Sequence, residues 1–131
     1  MEVNNIRFSY HNKPFIDDLS VVFQENKITS IIGPNGSGKS TLLMLLSRIY
    51  KSNEGVIKLN GKNIWDYKLK NFAKKVAVVH QKNQIYGDLD VKTIVGYGRL
   101  PYLSYHQSLG EKDYQIIDWA LEITNLKNIK T

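Results

Sequence analysis

Cysteine is absent from this 131-residue chain, so no disulfide framework can stabilise it. No apolar run is long enough to span a bilayer, and the first residues lack the pattern of a secretory signal peptide. Proline occurs only three times, and the hydrophobic fraction of 42% is that of an ordinary folded domain. These absences favour a globular protein of the cytoplasm.

Arginine is scarce as well, although the net charge is +6, from 18 basic and 12 acidic residues. Much of the excess is carried by separated lysines, including Lys68, Lys70, Lys74 and Lys75. A basic surface can bind nucleic acid or an anionic membrane. No basic run is interleaved with aromatic residues, however, as single-strand binding favours. We therefore interpret the lysines as a solvated surface and expect no nucleic-acid partner.

A glycine-rich stretch at residues 33–41 satisfies the phosphate-binding pattern G-x-x-x-x-G-K-[ST]. Glycines let the backbone wrap closely around a phosphate, and the N–H groups then form an anion nest at a helix N-terminus. Lys39 would add a positive charge at the β- and γ-phosphates, and the Ser40 hydroxyl would bind Mg²⁺. The predicted phosphate-binding residues are Gly33, Asn35, Gly36, Ser37, Gly38, Lys39, Ser40 and Thr41.

Short patterned segments surround this loop. Alternating or β-branched residues predict strands at 2–10, 19–23, 27–32, 56–59 and 76–79, with a tight turn at Asn60 and Gly61. The continuous apolar run at 76–79 is typical of a buried strand in a parallel sheet. Helices are predicted from 39 to about 50, at 69–73, from 91 to about 97 and after Glu111, with Asp90 as a cap and Ser108 opening a capping box.

In order and spacing, these segments resemble the first part of an ABC-transporter ATPase. The resemblance rests on Phe8-Ser9-Tyr10, the phosphate loop, Glu54-Gly55-x-Ile57 and the run from Val76 to Gln81. It covers essentially the whole chain. It implies an α/β fold: a partial P-loop NTPase core with an ABC-type antiparallel β-subdomain at residues 1–82, then a Q-loop and an incomplete helical subdomain at 83–131.

The same resemblance implies roles for single residues, with ATP and Mg²⁺ as cofactors. Tyr10 corresponds to the aromatic residue that stacks on adenine, although a half-buried tyrosine at a strand end is the alternative interpretation. Thr41 would bind the α-phosphate. Lys39 and Gln81 would be catalytic, and Ser40 and Gln81 would bind the metal. His80 stands where the family commonly has proline, and we do not interpret it as catalytic.

The resemblance also implies partners. The segment at 98–102 is similar to one typical of ATPases from iron–siderophore, haem and cobalamin importers. Transmembrane permease subunits would contact the region from Asn83 to Tyr105, and a second ATPase subunit would complete a homodimer at the inner face of the cell membrane. The aromatic and arginine character of this region suits a protein interface. The alternative interpretation is that its tyrosines are ordinary exposed loop residues. The residues predicted to form the interface are Tyr86, Arg99, Pro101, Tyr102 and Tyr105.

Three motifs of the family's ATPases are missing from the sequence: an apolar strand ending in Asp-Glu, a Leu-Ser-Gly-Gly-Gln loop and a late histidine. We therefore expect the N-terminal portion of an importer ATPase, able to bind nucleotide but not to hydrolyse it alone. The intact parent would be the ATPase. The alternatives are an ABC-type ATPase acting on nucleic acid or ribosomes, and an unrelated P-loop kinase or nucleotide-binding module.

Overall fold

The computed structural model describes residues 1–11, 13–79 and 89–127. The chain divides into two compact units, Met1–Phe72 and Ala73–Thr131. The predicted division between residues 82 and 83 falls outside the described ranges and stays a prediction. Within those ranges, no helix combines the length and the apolar character that crossing a membrane requires.

The first unit is built on a four-stranded sheet in the order β2-β1-β3-β4, in which every pairing is antiparallel. Its strands are β1 (Glu2–Tyr10), β2 (Lys13–Val22), β3 (Glu54–Leu59) and β4 (Lys62–Asn63). Alternation along β1 buries Val3, Ile6 and Phe8. The structure therefore confirms the first predicted strand and the turn before β4, whereas β2 begins well before the predicted residue 19.

Helix α1 (Lys39–Leu46) follows the glycine-rich loop and buries Leu42 and Leu45. It ends earlier than predicted because the chain turns at Arg48, whose φ is 62°. The Arg48 guanidinium lies 4.8 Å from the centre of the Trp65 ring and donates a 3.1 Å hydrogen bond to the carbonyl oxygen of Tyr67. This side chain joins the end of α1 to the segment before helix α2 (Leu69–Ala73), which confirms the short helix predicted there.

The structure has no strand at residues 27–32 or 76–79, so both strand predictions are wrong for this chain. A strand exists through the hydrogen bonds it makes to a neighbour. Within the described ranges, neither segment pairs with a strand of the sheet. Their apolar side chains are consequently open to solvent: Ile28 is 100% exposed, Ile32 92% and Val79 90%.

The second unit contains α3 (Val91–Gly96), a 3₁₀ helix (Tyr97–Tyr102) and α4 (Glu111–Ile123). The Asp90 carboxylate caps α3, as predicted, by accepting a 2.6 Å hydrogen bond from the backbone N–H of Thr93, and this bond lowers the pKa of Asp90. The capping box predicted at Ser108 is wrong. The cap of α4 is Gly110, whose N–H donates to the Asp113 carboxylate at 3.1 Å.

Candidate nucleotide-binding site

The glycine-rich loop is folded around the ammonium group of Lys39. Its Nζ donates hydrogen bonds to the carbonyl oxygens of Gly33 at 2.8 Å and Pro34 at 2.7 Å, and it lies 3.5 Å from the Ser37 hydroxyl. No carboxylate of the described residues lies within ion-pair distance of this ammonium. The loop therefore carries a positive charge that is solvated only by neutral oxygens and is available to an anion.

Glycine at two positions gives the loop its shape. Gly36 has a φ of 84° and Gly38 a φ of 90°, values that residues with a Cβ rarely adopt. Gly38 is also the N-cap of α1, where no side chain accepts from the helix. Because the first N–H groups of a helix have no acceptor within the helix, those of α1 remain available. This is the arrangement that binds phosphate at a helix N-terminus.

The loop forms one wall of a cavity of about 440 Å³. Side chains of β2 also line the cavity: Phe15, Ile16, Asp17 and Leu19. The loop contributes Gly33, Pro34, Ser37, Gly38 and Lys39. The lining thus combines the cationic Lys39 with apolar side chains, a combination that suits a ligand with both phosphate and apolar parts.

Tyr10 stands at the end of β1, half-buried in a group of aromatic rings. Its ring meets those of Phe8, Phe15 and Tyr50 in edge-to-face contacts, with centroids 4.8, 5.3 and 5.8 Å away. Its hydroxyl lies 3.0 Å from the hydroxyl oxygen of Thr41, which is 6% exposed. The structure thus brings together the residues predicted to contact adenine and the α-phosphate. Adenine stacking by Tyr10 stays a prediction.

The residues of the first unit fit a magnesium ion that is held mainly by a bound nucleotide. Mg²⁺ usually takes one or two protein ligands and completes its shell with phosphate oxygens and water. Ser40, in the first turn of α1, is exposed and offers its hydroxyl. No cluster of acidic or histidine ligands occurs in the part of the chain that the structure describes. Ser40 would thus offer such an ion a single hydroxyl ligand beside the glycine-rich loop, and this role stays a prediction.

Several predicted residues lie outside the described ranges, and their roles stay predictions. They are Gln81, Asn83 and Tyr86, and His80, for which no catalytic role is predicted, lies outside these ranges as well. The predicted catalytic and metal-binding functions of Gln81 stay predictions. The catalytic role of Lys39 and the metal-binding role of Ser40 stay predictions too, although the structure places both residues at the loop.

Several described residues of the segment predicted to contact a permease are exposed. Tyr97, Leu100, Tyr102 and Tyr105 are 50%, 54%, 47% and 89% exposed. Arg99 instead points inward: its Nε donates to the Asp113 carboxylate at 2.8 Å, and its guanidinium lies 4.1 Å from the centre of the Tyr102 ring. The arginine therefore ties the 3₁₀ helix to α4 and is less open to a partner than the tyrosines around it.

Sequence reasoning missed two aromatic residues near the loop. Tyr50 stacks on Phe8 with centroids 5.4 Å apart, and Phe15 lines the cavity beside Gly38. The signal that could have found Phe15 is its place just after a turn that reverses the chain onto Tyr10. The predicted strand at 19–23 leaves Phe15 outside β2, which in the structure begins at Lys13.

The chain is similar in sequence to a family of transport proteins. A family profile described as ABC transporter matches residues 16–131. A petrobactin import ATP-binding protein of Bacillus subtilis is 41% identical over 130 residues, covering 99% of this chain and 51% of that protein. An iron(3+)-hydroxamate import ATP-binding protein of the same organism is 38% identical, covering 96% and 47%. The chain spans about half the length of these relatives.

Among solved structures, cbiO1 of Clostridium perfringens, part of the ABC transporter complex cbiONQ, superposes with a TM-score of 0.78. The sequences are 26% identical, and the match covers 98% of this chain and 51% of that one. An ATP-binding subunit of another ABC transporter, 21% identical, gives the same TM-score and covers 96% and 50%. These likenesses confirm the predicted α/β fold class, a partial P-loop NTPase core with an antiparallel β-subdomain.

Proposed function

Because the chain belongs to the ABC transporter family, we propose that it forms the ATP-binding portion of an importer ATPase. The parent protein couples ATP binding and hydrolysis to the uptake of an iron–siderophore or a related chelate. Two relatives whose names state import of petrobactin or iron(3+)-hydroxamate support this substrate class. The alternative of an ATPase acting on nucleic acid has no comparable support among them.

The observation that carries the proposal is the loop around Lys39. Its ammonium is held by the carbonyl oxygens of Gly33 and Pro34, close to the uncapped N-terminus of α1. A triphosphate brings negative charge that neutral carbonyl oxygens lack, so the ammonium gains a charge-assisted contact when a nucleotide binds. Lys39 therefore binds the β- and γ-phosphates, and the backbone N–H groups from Asn35 onward enclose them.

Mg²⁺, when bound with the nucleotide, neutralises phosphate charge during transfer to water. Ser40 and Gln81 hold it in this proposal, and Thr41 binds the α-phosphate. Gln81 also orients the attacking water, because a carboxamide can accept a hydrogen bond on one side and donate on the other. The ring of Tyr10 supports the adenine.

The second unit contacts the transmembrane permease subunits through the region from Asn83 to Tyr105. Its exposed aromatic side chains, such as Tyr102 and Tyr105, are of the type enriched in protein interfaces. A second ATPase subunit completes the assembly as a homodimer. The protein accordingly works in the cytoplasm, peripheral to the inner face of the cell membrane.

Calorimetric titration of the 131-residue chain with MgATP tests the central claim. We expect Lys39→Ala to abolish detectable binding, because it removes the only side-chain charge that the described loop offers to the phosphates. Lys51→Ala is the matched control: it removes the same charge beyond the opposite end of α1, where Lys51 lies 5.9 Å from the centre of the Trp65 ring. Undiminished affinity in the Lys39 variant would remove the phosphate-loop assignment.

A further inference from the structure

We propose that the surface around Trp65 and Leu69 binds directly to anionic lipid headgroups. This surface, which we call the basic–apolar surface, consists of Lys62, Trp65, Lys68 and Leu69. It lies in the first unit, on the segment from β4 to the start of α2. The proposal goes beyond the proposed function, because the contact requires neither a bound nucleotide nor a permease subunit.

The segment that carries this surface has an inner and an outer side. On the inner side, Ile64 and Phe72 are 0% and 4% exposed, and the Tyr67 hydroxyl donates a 2.8 Å hydrogen bond to a backbone carbonyl oxygen of β3. These contacts hold the segment against the rest of the unit. On the outer side, Trp65 and Leu69 are 36% and 73% exposed. Because apolar surface in water is unfavourable, the outer side favours a partner that can bury it.

Positive charge accompanies this exposed apolar pair. Lys62 and Lys68 lie beside it along the chain, and no ion pair of the described residues includes either lysine. The Lys51 ammonium lies 5.9 Å from the centre of the Trp65 ring. Residues 48–72 carry six basic and two acidic side chains, and one of these acids is paired with an arginine of β1. The excess of positive charge is complementary to a surface of lipid phosphates.

The combination of side chains favours a lipid membrane over nucleic acid. Tryptophan and lysine both suit a membrane–water interface, where the indole lies among the headgroups and the ammonium stays in water. A single-stranded nucleic acid would instead stack a base on the aromatic face. The Arg48 guanidinium already lies over the Trp65 ring, 4.8 Å from its centre, and hinders stacking on that face. Leu69 gains nothing from a phosphate backbone, whereas it can enter the boundary between headgroups and acyl chains.

Cosedimentation of the 131-residue chain with lipid vesicles tests the proposal. The vesicles contain phosphatidylcholine alone or with roughly one third phosphatidylglycerol, an anionic lipid. We expect binding to the anionic vesicles only, and weaker binding as salt rises, because salt screens exposed charges. Each lysine near such a surface raises the partition coefficient by about five-fold, so Lys62→Gln combined with Lys68→Gln should lower it by roughly 25-fold. Leu69→Ser should weaken binding at high salt as well, where the apolar contact remains.

The matched control is Lys13→Gln combined with Lys27→Gln, which removes the same charge from exposed positions outside residues 48–72. An equal loss in both double variants would mean that net charge alone binds the vesicles, and it would overturn the proposal. Equal binding to neutral and anionic vesicles, or binding to neither, would overturn it too. A labelled single-stranded oligonucleotide gives the last comparison: if the basic–apolar surface binds it and not the vesicles, the partner is nucleic acid and the lipid proposal is wrong.

Discussion

Gly36→Ala tests whether the backbone conformation of the loop, rather than its general flexibility, is what binds phosphate. Gly36 has a φ of 84°, and a Cβ built there meets nothing within 4 Å. The substitution therefore causes no steric clash in the described structure. Its cost comes from the left-handed conformation, which disfavours a residue with a Cβ by about 1–2 kcal/mol.

Gly61 provides a matched control in the turn between β3 and β4. Its φ is 73°, and a Cβ there likewise meets nothing within 4 Å. Gly61→Ala should therefore lower the free energy of unfolding by a similar amount, about 1–2 kcal/mol. Denaturant unfolding of both variants measures this term. When the two variants lose similar amounts of stability, a difference between their ligand affinities can be assigned to the loop.

Only the Gly36 variant should bind nucleotide more weakly. If its backbone relaxes away from the left-handed region, one N–H group no longer points at the phosphate. A hydrogen bond to a charged group contributes about 1.5–3 kcal/mol, which corresponds to an affinity loss of roughly 10- to 100-fold. Calorimetry with MgATP measures it. An unchanged affinity in Gly36→Ala, or an equal loss in Gly61→Ala, would refute the reasoning.

Two further predictions concern Tyr10 and Asp113. Phosphate oxygens only accept hydrogen bonds, so a Thr41 hydroxyl that donates to phosphate must accept from the Tyr10 hydroxyl, 3.0 Å away. Tyr10→Phe should therefore weaken ATP binding by about 0.5–1.5 kcal/mol. The same change in a Thr41→Val background should have no such effect. Hydrogen bonds from the backbone N–H of Gly110 and then from Arg99 lower the pKa of Asp113 below its ordinary value. The stabilisation that these hydrogen bonds give is present above the unfolded-state pKa and is lost as pH falls through the lower folded-state pKa. Between about pH 6 and pH 2, the free energy of unfolding should therefore depend less steeply on pH in Asp113→Asn than in wild type. Asp118→Asn, on the same helix, is the control, and an identical pH dependence in wild type and Asp113→Asn would contradict the assignment.

The parts of the fold that were predictable are those with local causes. The Asp90 cap depends on one side chain and an N–H three residues away, and the turn at Asn60 and Gly61 depends on residues that tolerate positive φ. The strands at 27–32 and 76–79 were predicted from the same kind of pattern and did not form. A β-branched apolar run favours a strand, but only a neighbouring strand supplies its hydrogen bonds, and the pattern holds no information about that neighbour.

The same distinction between local and long-range causes applies to the candidate site. The conformation of the loop at residues 33–41 depends on its own glycines and on the helix that follows, so the sequence pattern was sufficient to place Lys39, Ser40 and Thr41. The inward orientation of the Arg99 side chain could not be predicted in this way. Its partner, Asp113, lies fourteen positions away, and an arginine next to tyrosines looks the same in a sequence whether it faces outward or inward.

Phe15 illustrates why the rest of the site required the structure. Its place beside the loop depends on β2 beginning at Lys13, on the pairing of Phe8 with Ile16, and on the side of the sheet against which α1 begins. Three separate elements therefore meet at one ring, and no single segment of sequence encodes that meeting. The loop, by contrast, could be predicted from nine consecutive residues, because its shape depends on those residues and on the helix that follows them.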